Sequence, residues 1–269
     1  MKKRKGKALR WLFRREEIPQ GMTDVHNHLV PGLDDGASDD AEALAMLRGF
    51  AEAGYKEIAV SCHLGHPLFD TVSPENITQG VAYLRELAER EGIALSLWPG
   101  CEIYYSDLMA EKILAGDVLS VGGSSRYLLI EFSPRDPMQH LKEIAFQLQV
   151  RGKQPILAHP ERYDAVCKSP EIIRTWSHAG WLMQLDLPSL TGESGPLIKK
   201  TAEILLKKRL FHLAASDLHR GKDAKLKLET MLRRLVRLCG EEEAHRLLVT
   251  NPSRLIADQP IFEIDREEP

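Results

Sequence analysis

Cysteine is scarce in this sequence, and no apolar run is long enough to cross a membrane. Cys62, Cys101, Cys167 and Cys239 are widely separated and form no CxxC pair, so we expect reduced thiols and a cytoplasmic location. No segment approaches the ~20 apolar residues that span a bilayer. A glycine-rich phosphate loop of the GxGxxG or GxxxxGK(S/T) type is also missing, which argues against a nucleotide-binding doubly wound sheet.

Charge of one sign is likewise lacking over the chain as a whole. The formal net charge is −3, so nucleic acid is not an expected partner. Only the N-terminus departs from this balance, because MKKRKGKALRWLFRR carries eight Lys and Arg. We interpret residues 1–22 as a flexible basic extension, with a weak membrane-surface contact through residues 1–15 as a second hypothesis. Residues 23–269 are expected to form a single domain.

From residue 23 onward, short apolar segments alternate with longer amphipathic ones. Seven segments have the composition of strands: TDVHNHL, KEIAVSCH, IALSLWPGCEIYY, RYLLIEFS, QPILAHPERY, WLMQLDL and LFHLAASDLH. Helical patterns lie between them, at residues 39–53, 74–91, 137–151, 170–179 and 195–208. Strands that alternate with helices form a parallel sheet with right-handed crossovers. We therefore predict an α/β fold with a closed or nearly closed barrel, and an open doubly wound sheet is the alternative.

Histidine and acidic residues recur at the ends of these strands. Each is weak evidence alone, because a single polar residue at a strand end is usually structural. The carboxyl ends of parallel strands meet at one face of a barrel, so side chains far apart in sequence converge there. Five imidazoles and four carboxylates in such positions predict a metal site. They are His26, His28, Asp35, His63, Glu102, Glu131, His159, Asp217 and His219.

The two histidines of the first strand are spaced for a shared ion. Residues i and i+2 of a strand point to the same side, so His26 and His28 can bind one ion together. Asp35 follows a Pro31–Gly32 turn that can return the loop to the strand end. Asp34 is expected to orient this turn rather than to bind metal. Nitrogen and oxygen ligands without thiolate suit manganese, iron or zinc.

Nine ligands are more than one ion needs, and their charge indicates what the site binds. Three divalent ions would carry +6 and four carboxylates −4, which leaves about +2, the complement of a phosphate monoester at about −1.5 to −2. Such ions lower the pKa of a bridging water and so supply a hydroxide that can attack phosphorus. Arg162, just past His159, is placed to bind phosphate oxygens. Arg220 is a second candidate, for which a solvated rim cation is an equal alternative.

These motifs resemble one known family. DVHNHLVPGLDDGASD, CEIYY, LIEFS, LAHPERY and AASDLH are similar in order and spacing to the PHP-domain protein-tyrosine phosphatases of bacterial capsule and exopolysaccharide operons. The similarity extends from Thr23 to about Pro260. It implies a distorted seven-stranded TIM-like (β/α)7 barrel of the PHP type with three divalent ions, usually manganese. It also implies a metal-dependent phosphoric monoester hydrolase that acts on phosphotyrosine, typically on the tyrosine autokinase that controls polysaccharide chain length and export.

The resemblance also implies roles for single residues. Where the motifs match those of the family, the nine residues above correspond to metal ligands, and Arg162 of HPERY corresponds to a residue that contacts phosphate. The expected division places His26, His28 and Asp217 on one ion, Glu102 as a bridge, and Asp35 with His219 on another.

One segment departs from the family pattern. After His63 the chain reads LGHPLFDT, where members often carry further basic or polar residues. His66 in this segment is a hypothetical general acid for the tyrosyl oxygen or a phosphate contact. A rim histidine without a catalytic role is the alternative.

Rival functions fit the sequence less well. A cysteine-dependent phosphatase requires a C-x5-R loop, and no cysteine here has arginine at that spacing. Amidohydrolases and TatD-like deoxyribonucleases also begin with H-x-H, but they use fewer ligands. PHP-type histidinol-phosphate phosphatase is the nearest enzymatic alternative, and the HPERY and CEIYY matches argue against it. The complete ligand set disfavours a regulator that binds the kinase without hydrolysis.

Overall fold

The computed structural model describes residues 17–261, and the hypothesis of a membrane contact through residues 1–15 lies outside them. Each of the seven predicted strand segments lies at or beside β-structure, and the second and third segments are each split into two strands. Met22, the last residue of the predicted extension, is buried and begins the first strand. The strands are β1 (Met22–Asp24), β2 (Tyr55–Ala59), β3 (His63–Leu64), β4 (Ser96–Trp98), β5 (Glu102–Tyr104), β6 (Tyr127–Glu131), β7 (Gln154–Ala158), β8 (Leu182–Asp186) and β9 (Leu213–Ala215).

The strand ladders of residues 17–261 are all parallel, and they divide into two sheets. One has the order β1-β2-β4 and the other β3-β5-β6-β7-β8-β9. An isolated bridge between Asn27 and Leu218 joins the chain beyond β1 to the chain beyond β9. The parallel α/β fold is therefore confirmed, whereas the described residues form no closed seven-stranded barrel.

The break between the two sheets has a local cause. β4 and β5 are separated by Pro99, which has no N–H to continue a ladder. At Gly100 the backbone passes so near the neighbouring segment that a Cβ would lie 3.1 Å from the carbonyl oxygen of Val60. The same segment after β2 donates Ser61 N–H to Asn27 instead of continuing along the partner strand. The second and third predicted strand segments therefore bend at this point. Their carboxyl-terminal parts, β3 and β5, join the second sheet.

Helices connect the strands, and each of the five predicted helical segments contains one. The helices are α1 (Asp40–Ala53), α2 (Pro74–Arg90), α3 (Asp107–Ala115), α4 (Leu141–Val150), α5 (Asp164–Lys168), α6 (Ile172–His178), α7 (Leu187–Thr191), α8 (Pro196–Lys207), α9 (Ala224–Cys239), α10 (Glu241–His245) and α11 (Asn251–Ile256). A 3-10 turn covers Pro160–Arg162 and a π-helical turn Arg246–Thr250. Within the described part of the chain, every helix is too short or too polar to span a bilayer.

The helix limits follow from capping chemistry. Asp39 accepts a hydrogen bond from the backbone N–H of Glu42 and so begins α1, which ends at Gly54 with a φ of 97°. The prediction of a helix from residue 137 is wrong at its start, because Met138 has a φ of 57° and its N–H is bound by Asp136. This turn delays α4 to Leu141.

The strands point their carboxyl ends to one edge of the molecule. Large apolar side chains such as Phe50, Tyr163 and Trp181 fill the space between the sheets and the helices and are fully buried. Polar residues that are equally buried cluster instead at the carboxyl edge, where His26, His28 and Glu102 are among them. Burial of so many ionisable groups at one edge requires compensation by charge or by hydrogen bonds.

Candidate metal centre

The structure brings together all nine side chains that the sequence predicts as ligands. His26 and His28 follow β1, Asp35 lies in the next loop, and His63 and Glu102 begin β3 and β5. The other four come from the ends of β6, β7 and β9 or the residues just beyond them: Glu131, His159, Asp217 and His219. Strand order therefore converts a separation of nearly two hundred residues into side-chain contact.

The nine residues form four overlapping groups. Within each group, one possible ligand atom per residue lies within 4.8 Å of the others. The groups are His28, Asp35, His63 and His219; His26, His28 and Glu102; His26, His159 and Asp217; and His63, Glu102 and Glu131. Glu102 belongs to two groups, as do three of the histidines, and its two carboxylate oxygens allow it to bridge. Asp35 and His219 occur together as expected. His28 and Asp217, which were expected to share an ion with His26, fall in different groups.

Backbone hydrogen bonds hold the H-x-H segment against the end of β9. His28 donates its N–H to the carbonyl oxygen of Leu218, and Asp217 donates its N–H to that of His26. As a result, Nε2 of His26 and Nε2 of His28 lie 3.2 and 3.3 Å from Oδ1 of Asp217. Both rings therefore face the same side of the chain, as the i, i+2 spacing predicts.

Three of the histidines have their Nδ1 atom occupied by an acceptor. His26 Nδ1 lies 2.9 Å from Oε1 of Gln184, and His28 Nδ1 lies 2.8 Å from Oδ2 of Asp34. His219 Nδ1 lies 2.8 Å from the carbonyl oxygen of Asp217. An acceptor at Nδ1 keeps the proton there, so the lone pair of Nε2 remains available as a ligand.

Several atoms that face the cluster are buried without a hydrogen bond. Among the described residues these include Nε2 of His26, Nε2 of His28, Nδ1 of His63, Oε2 of Glu131 and Oδ1 of Asp217. They approach one another closely but lack hydrogen-bond geometry. Buried polar atoms without partners are rare in folded proteins, and cations would satisfy this set. The residues therefore fit a cluster of divalent ions by position and by chemistry.

The electrostatics of the cluster favour positive charge. Burial lowers the pKa of His63 and of His219, but Glu102 and Asp35 respectively outweigh burial, and both pKa values rise to about 9. Burial raises the pKa of Glu131 to about 8, and the charge of Glu102 adds to this effect. In the metal-free chain, protons therefore occupy part of the site that cations would take.

Two of the predicted ligands have a left-handed backbone conformation that residues other than glycine rarely adopt. His159 has a φ of 34° and Asp217 a φ of 46°. Such conformations cost roughly 1–3 kcal/mol each and persist where surrounding contacts over-determine them. Here the N–H of Arg162 binds the carbonyl oxygen of His159, and the N–H of Asp217 binds that of His26. Two of the six described non-glycine residues with a positive φ are therefore predicted ligands, and backbone hydrogen bonds hold both of them.

The loop that carries Asp35 is tied down by its neighbour. Asp34 accepts hydrogen bonds from the N–H groups of Gly36 and His63, each at 3.0 Å, besides its contact with His28. Its role in orienting the turn therefore agrees with the prediction. Gly36 has no room for a side chain, because a Cβ there would lie 2.0 Å from the carbonyl oxygen of His28.

The cluster is open to solvent on one side. The side chain of Asp35 is 48% exposed and that of His219 is 29% exposed, whereas Glu102 is buried at 1%. Asp35 and His219 are therefore the most accessible of the predicted ligands.

The three predicted catalytic residues lie in three different positions relative to the cluster. Arg162 lies beside the cluster, with Nη2 2.8 Å from Oδ2 of Asp217 and 2.5 Å from Oδ2 of Asp186. Arg220 uses Nη1 to bind the carbonyl oxygens of Asp35 and Gly36 at 2.6 and 2.5 Å, so it anchors the loop. This use weakens the case for Arg220 as a phosphate ligand.

His66 packs against the rim of the cluster. Its ring centroid lies 5.0 Å from that of His63, 5.2 Å from that of Phe69 and 4.9 Å from that of Tyr104. Its Nδ1 accepts a hydrogen bond from the N–H of Leu68 at 3.2 Å. Burial, followed by the charge of His63, lowers the pKa of His66. In the neutral ring the proton therefore lies on Nε2.

The strand WLMQLDL, which is β8, carries two residues of the site that are not among the predicted ones. Gln184 orients His26, and Asp186 binds Arg162. Both are fully buried. The signal was present in the sequence, because the two polar residues have the same i, i+2 spacing as His26 and His28 at the end of an apolar run.

The chain is similar in sequence and in structure to one family of known proteins. Residues 22–257 match the family described as capsular polysaccharide synthesis, CpsB/CapC. Tyrosine-protein phosphatase CpsB of Streptococcus pneumoniae is 29% identical over 245 residues, which cover 89% of this chain and 100% of that protein. A chain from the crystal structures of YwqE from Bacillus subtilis and CpsB from Streptococcus pneumoniae, described as unique metal-dependent tyrosine phosphatases, matches with a TM-score of 0.82 at 28% identity. That match covers 90% of this chain and 97% of the other.

A more distant similarity concerns the fold alone. Dihydropyrimidinase from Brevibacillus agri has a TM-score of 0.53 at 14% identity, over 91% of this chain and 72% of that one.

Proposed function

This chain belongs to the CpsB/CapC family of capsular polysaccharide synthesis proteins, and we propose that it is a metal-dependent protein-tyrosine phosphatase. The observation that carries the proposal is the convergence of nine histidine and carboxylate side chains on one cluster beside an arginine. The similarity to the tyrosine phosphatases covers about nine tenths of the chain. The family match over residues 22–257 includes every residue of this cluster.

We propose three divalent ions in the cluster, with manganese as the metal and iron or zinc as alternatives. Four overlapping groups of donors accommodate three ions when carboxylates such as Glu102 bridge. Imidazole and carboxylate donors without thiolate support manganese. When bound, the ions would neutralise the phosphate and acidify the water that attacks phosphorus.

The chain's own residues bind and orient the phosphate. Arg162 supplies a guanidinium at the edge of the cluster, and its side chain is 26% exposed, which leaves it accessible to a substrate. Gln184 and Asp34 hold the rings of His26 and His28 in their orientations. Burial of this framework keeps it rigid, so little reorganisation is needed when the phosphate binds.

The proton state of His66 bears on the leaving group. With Nδ1 already accepting from Leu68, the neutral ring can donate a hydrogen bond from Nε2, but a neutral imidazole is a far weaker acid than imidazolium. We therefore propose a phosphate contact for His66 rather than general-acid catalysis. A tyrosyl oxygen, with a pKa of about 10, leaves more readily without an acid than an alkyl alkoxide does. This favours phosphotyrosine over alkyl phosphates such as histidinol phosphate.

Aromatic side chains beside the cluster support an aryl substrate. Phe69 stacks on His63 with ring centroids 5.4 Å apart and an angle of 11° between planes. Phe69, His66 and Tyr104 are all partly exposed. Partly exposed ring faces next to a phosphate site can pack against the ring of phosphotyrosine.

The proposed partner is the phosphotyrosine form of a bacterial tyrosine autokinase of polysaccharide export, and the proposed location is the cytoplasm. Family membership in capsular polysaccharide synthesis supports this partner. The proposed single domain, residues 23–269, coincides closely with the family match over residues 22–257.

The proposal is tested with metal-reconstituted protein on three substrates side by side. A phosphotyrosine peptide should be hydrolysed in preference to histidinol phosphate and single-stranded DNA. His159→Ala should abolish the activity, whereas His178→Ala, at an exposed helix position, should not change it. Activity on DNA alone, or full activity in His159→Ala, would contradict the proposal.

A further inference from the structure

Arg162 is held by a carboxylate that belongs to none of the candidate metal groups. Asp186, at the end of β8, is fully buried, and its Oδ2 lies 2.5 Å from Nη2 of Arg162. The same nitrogen lies 2.8 Å from Oδ2 of Asp217, which does belong to a metal group. One terminal nitrogen of the guanidinium is therefore shared between a metal-site carboxylate and a carboxylate behind it.

Asp186 is itself fixed from two directions. The hydroxyl of Ser189 in α7 donates to Oδ2 at 2.9 Å. The backbone N–H of Asp186 donates to Oε1 of Glu161, the residue before Arg162, at 2.9 Å. The 3-10 turn, the end of β8 and the first turn of α7 are thus joined at this one residue, through its carboxylate and its backbone N–H.

We propose that Asp186 is a positioning residue, which holds the Arg162 guanidinium beside Asp217 in the orientation that receives the phosphate. The inference rests on the proposed function, because it assumes that Arg162 binds the phosphoryl group. Arginine has a long side chain with many rotamers, and a buried ion pair selects one of them.

The second carboxylate has a further consequence for charge. Without Asp186, the described contacts would leave Asp217 as the ionic partner of Arg162. A carboxylate outside the metal groups shares the guanidinium, so Oδ1 of Asp217, which has no hydrogen bond, remains available as a ligand. Asp186 therefore supplies negative charge to Arg162 that Asp217 would otherwise have to supply while it also binds metal.

The test measures the affinity of metal-loaded protein for inorganic phosphate by calorimetry, so it does not depend on turnover. Asp186→Asn should weaken binding about tenfold, the equivalent of one charge-assisted hydrogen bond. Ser189→Ala, which keeps the charge but removes the orienting hydroxyl, should weaken it about threefold. Asp258→Asn is the matched control, because it makes the same change in the exposed ion pair with Arg126 and should leave the affinity unchanged.

A double variant separates positioning from a purely structural role. If Asp186 acts through Arg162, then Arg162→Ala combined with Asp186→Asn should bind phosphate no more weakly than Arg162→Ala alone. Losses that multiply in the double variant, or an Asp186→Asn protein with unchanged affinity, would overturn the proposal. If Asp186→Asn does not fold, the Ser189→Ala affinity decides, and an unchanged value rejects it. Failure of the phosphatase proposal would appear separately, as phosphate binding without hydrolysis of phosphotyrosine.

Discussion

Each histidine in the cluster has two ring nitrogens, and the partner of one decides the use of the other. Asp34 does not enter a candidate metal group, yet its Oδ2 holds Nδ1 of His28 at 2.8 Å and accepts the N–H of His63. Burial opposes ionisation of Asp34, but His28 and backbone donors hold the pKa of this carboxyl well below its usual range. Asp34 is therefore ionised at neutral pH.

Asp34→Ala should weaken metal binding about 10–100-fold, because the ring of His28 loses its orienting acceptor. Competition with a chelator of known affinity measures the change. Asp70→Ala, in an exposed loop position, is the control and should bind metal like the wild type. Equal affinities in the two variants would show that Asp34 contributes nothing to the metal site.

Phe69→Ala should reduce selectivity for aryl phosphates. The ratio of kcat/KM for a phosphotyrosine peptide to that for an alkyl phosphate is expected to fall about fivefold, since stacking on an aromatic face contributes roughly 0.5–1.5 kcal/mol. Phe146→Ala, at a residue 67% exposed on α4, should leave the ratio unchanged. A ratio that is the same in all three proteins would remove the aromatic argument for the substrate.

At the scale of elements, helix α1 packs closely on helix α9. A Cβ at Gly49 of α1 would lie 2.6 Å from the Cβ of Ala224, the first residue of α9. α9 in turn buries Leu228, Leu232 and Leu235, which recur at helical spacing on one face. Gly49 therefore sets the distance between two helices that follow the strands carrying ligands.

Gly49→Leu should lower the free energy of unfolding by about 1–3 kcal/mol, because overpacking forces the two helices apart. Chemical denaturation of the metal-loaded protein measures it. Ala41→Leu, on the exposed side of the same helix, should change stability by less than about 0.5 kcal/mol. If both variants are equally stable, the helices are not in the tight contact described.

Element boundaries show where local sequence signals end. The helix that begins at Asp40 was predictable because its cap lies in the adjacent residue. The start of α4 at Leu141 was not predictable. Pro137 is typical of a first helical turn, but the positive φ of Met138 is incompatible with a helix there. Pro99 marks the division of the strands into two sheets in the sequence. The bond of Ser61 N–H to Asn27 and the close approach of Gly100 to Val60 were not predictable, because they join segments far apart along the chain.

At the scale of the whole molecule, the cluster links stability to pH and to metal. His63 and His219 have pKa values of about 9 in the folded chain against 6.5 ordinarily, so their contribution is complete below about pH 6.5 and is lost as pH rises through 9. Glu131 acts in the same direction, because its pKa of about 8 lies above its ordinary 4.5. Over this range the folded, metal-free protein binds more protons than the unfolded chain does.

The Tm of the chelator-treated protein should therefore fall between pH 6.5 and 9. Bound divalent ions replace the protons, so the difference in Tm between the manganese-loaded and the chelator-treated protein should widen over the same interval. Calorimetric scans at constant ionic strength measure both. A constant difference, or a Tm of the metal-free protein that rises with pH, would contradict the assignment of the charges.

The sequence by itself determined the residue types at strand ends and therefore the composition of the site. The alternation of strands and helices, the H-x-H pair and Arg162 could all be identified from local patterns, because strand ends, i, i+2 spacing and caps are encoded within a few residues. Only the tertiary structure decided which partner each ring and guanidinium has. Gln184 contacts His26 from another strand, and Asp186 at the end of β8 contacts Arg162 in the turn after β7. Neither pairing can be predicted from spacing along the chain. The reason is physical: ligand identity depends on side-chain chemistry, whereas orientation depends on distances between elements that only packing determines.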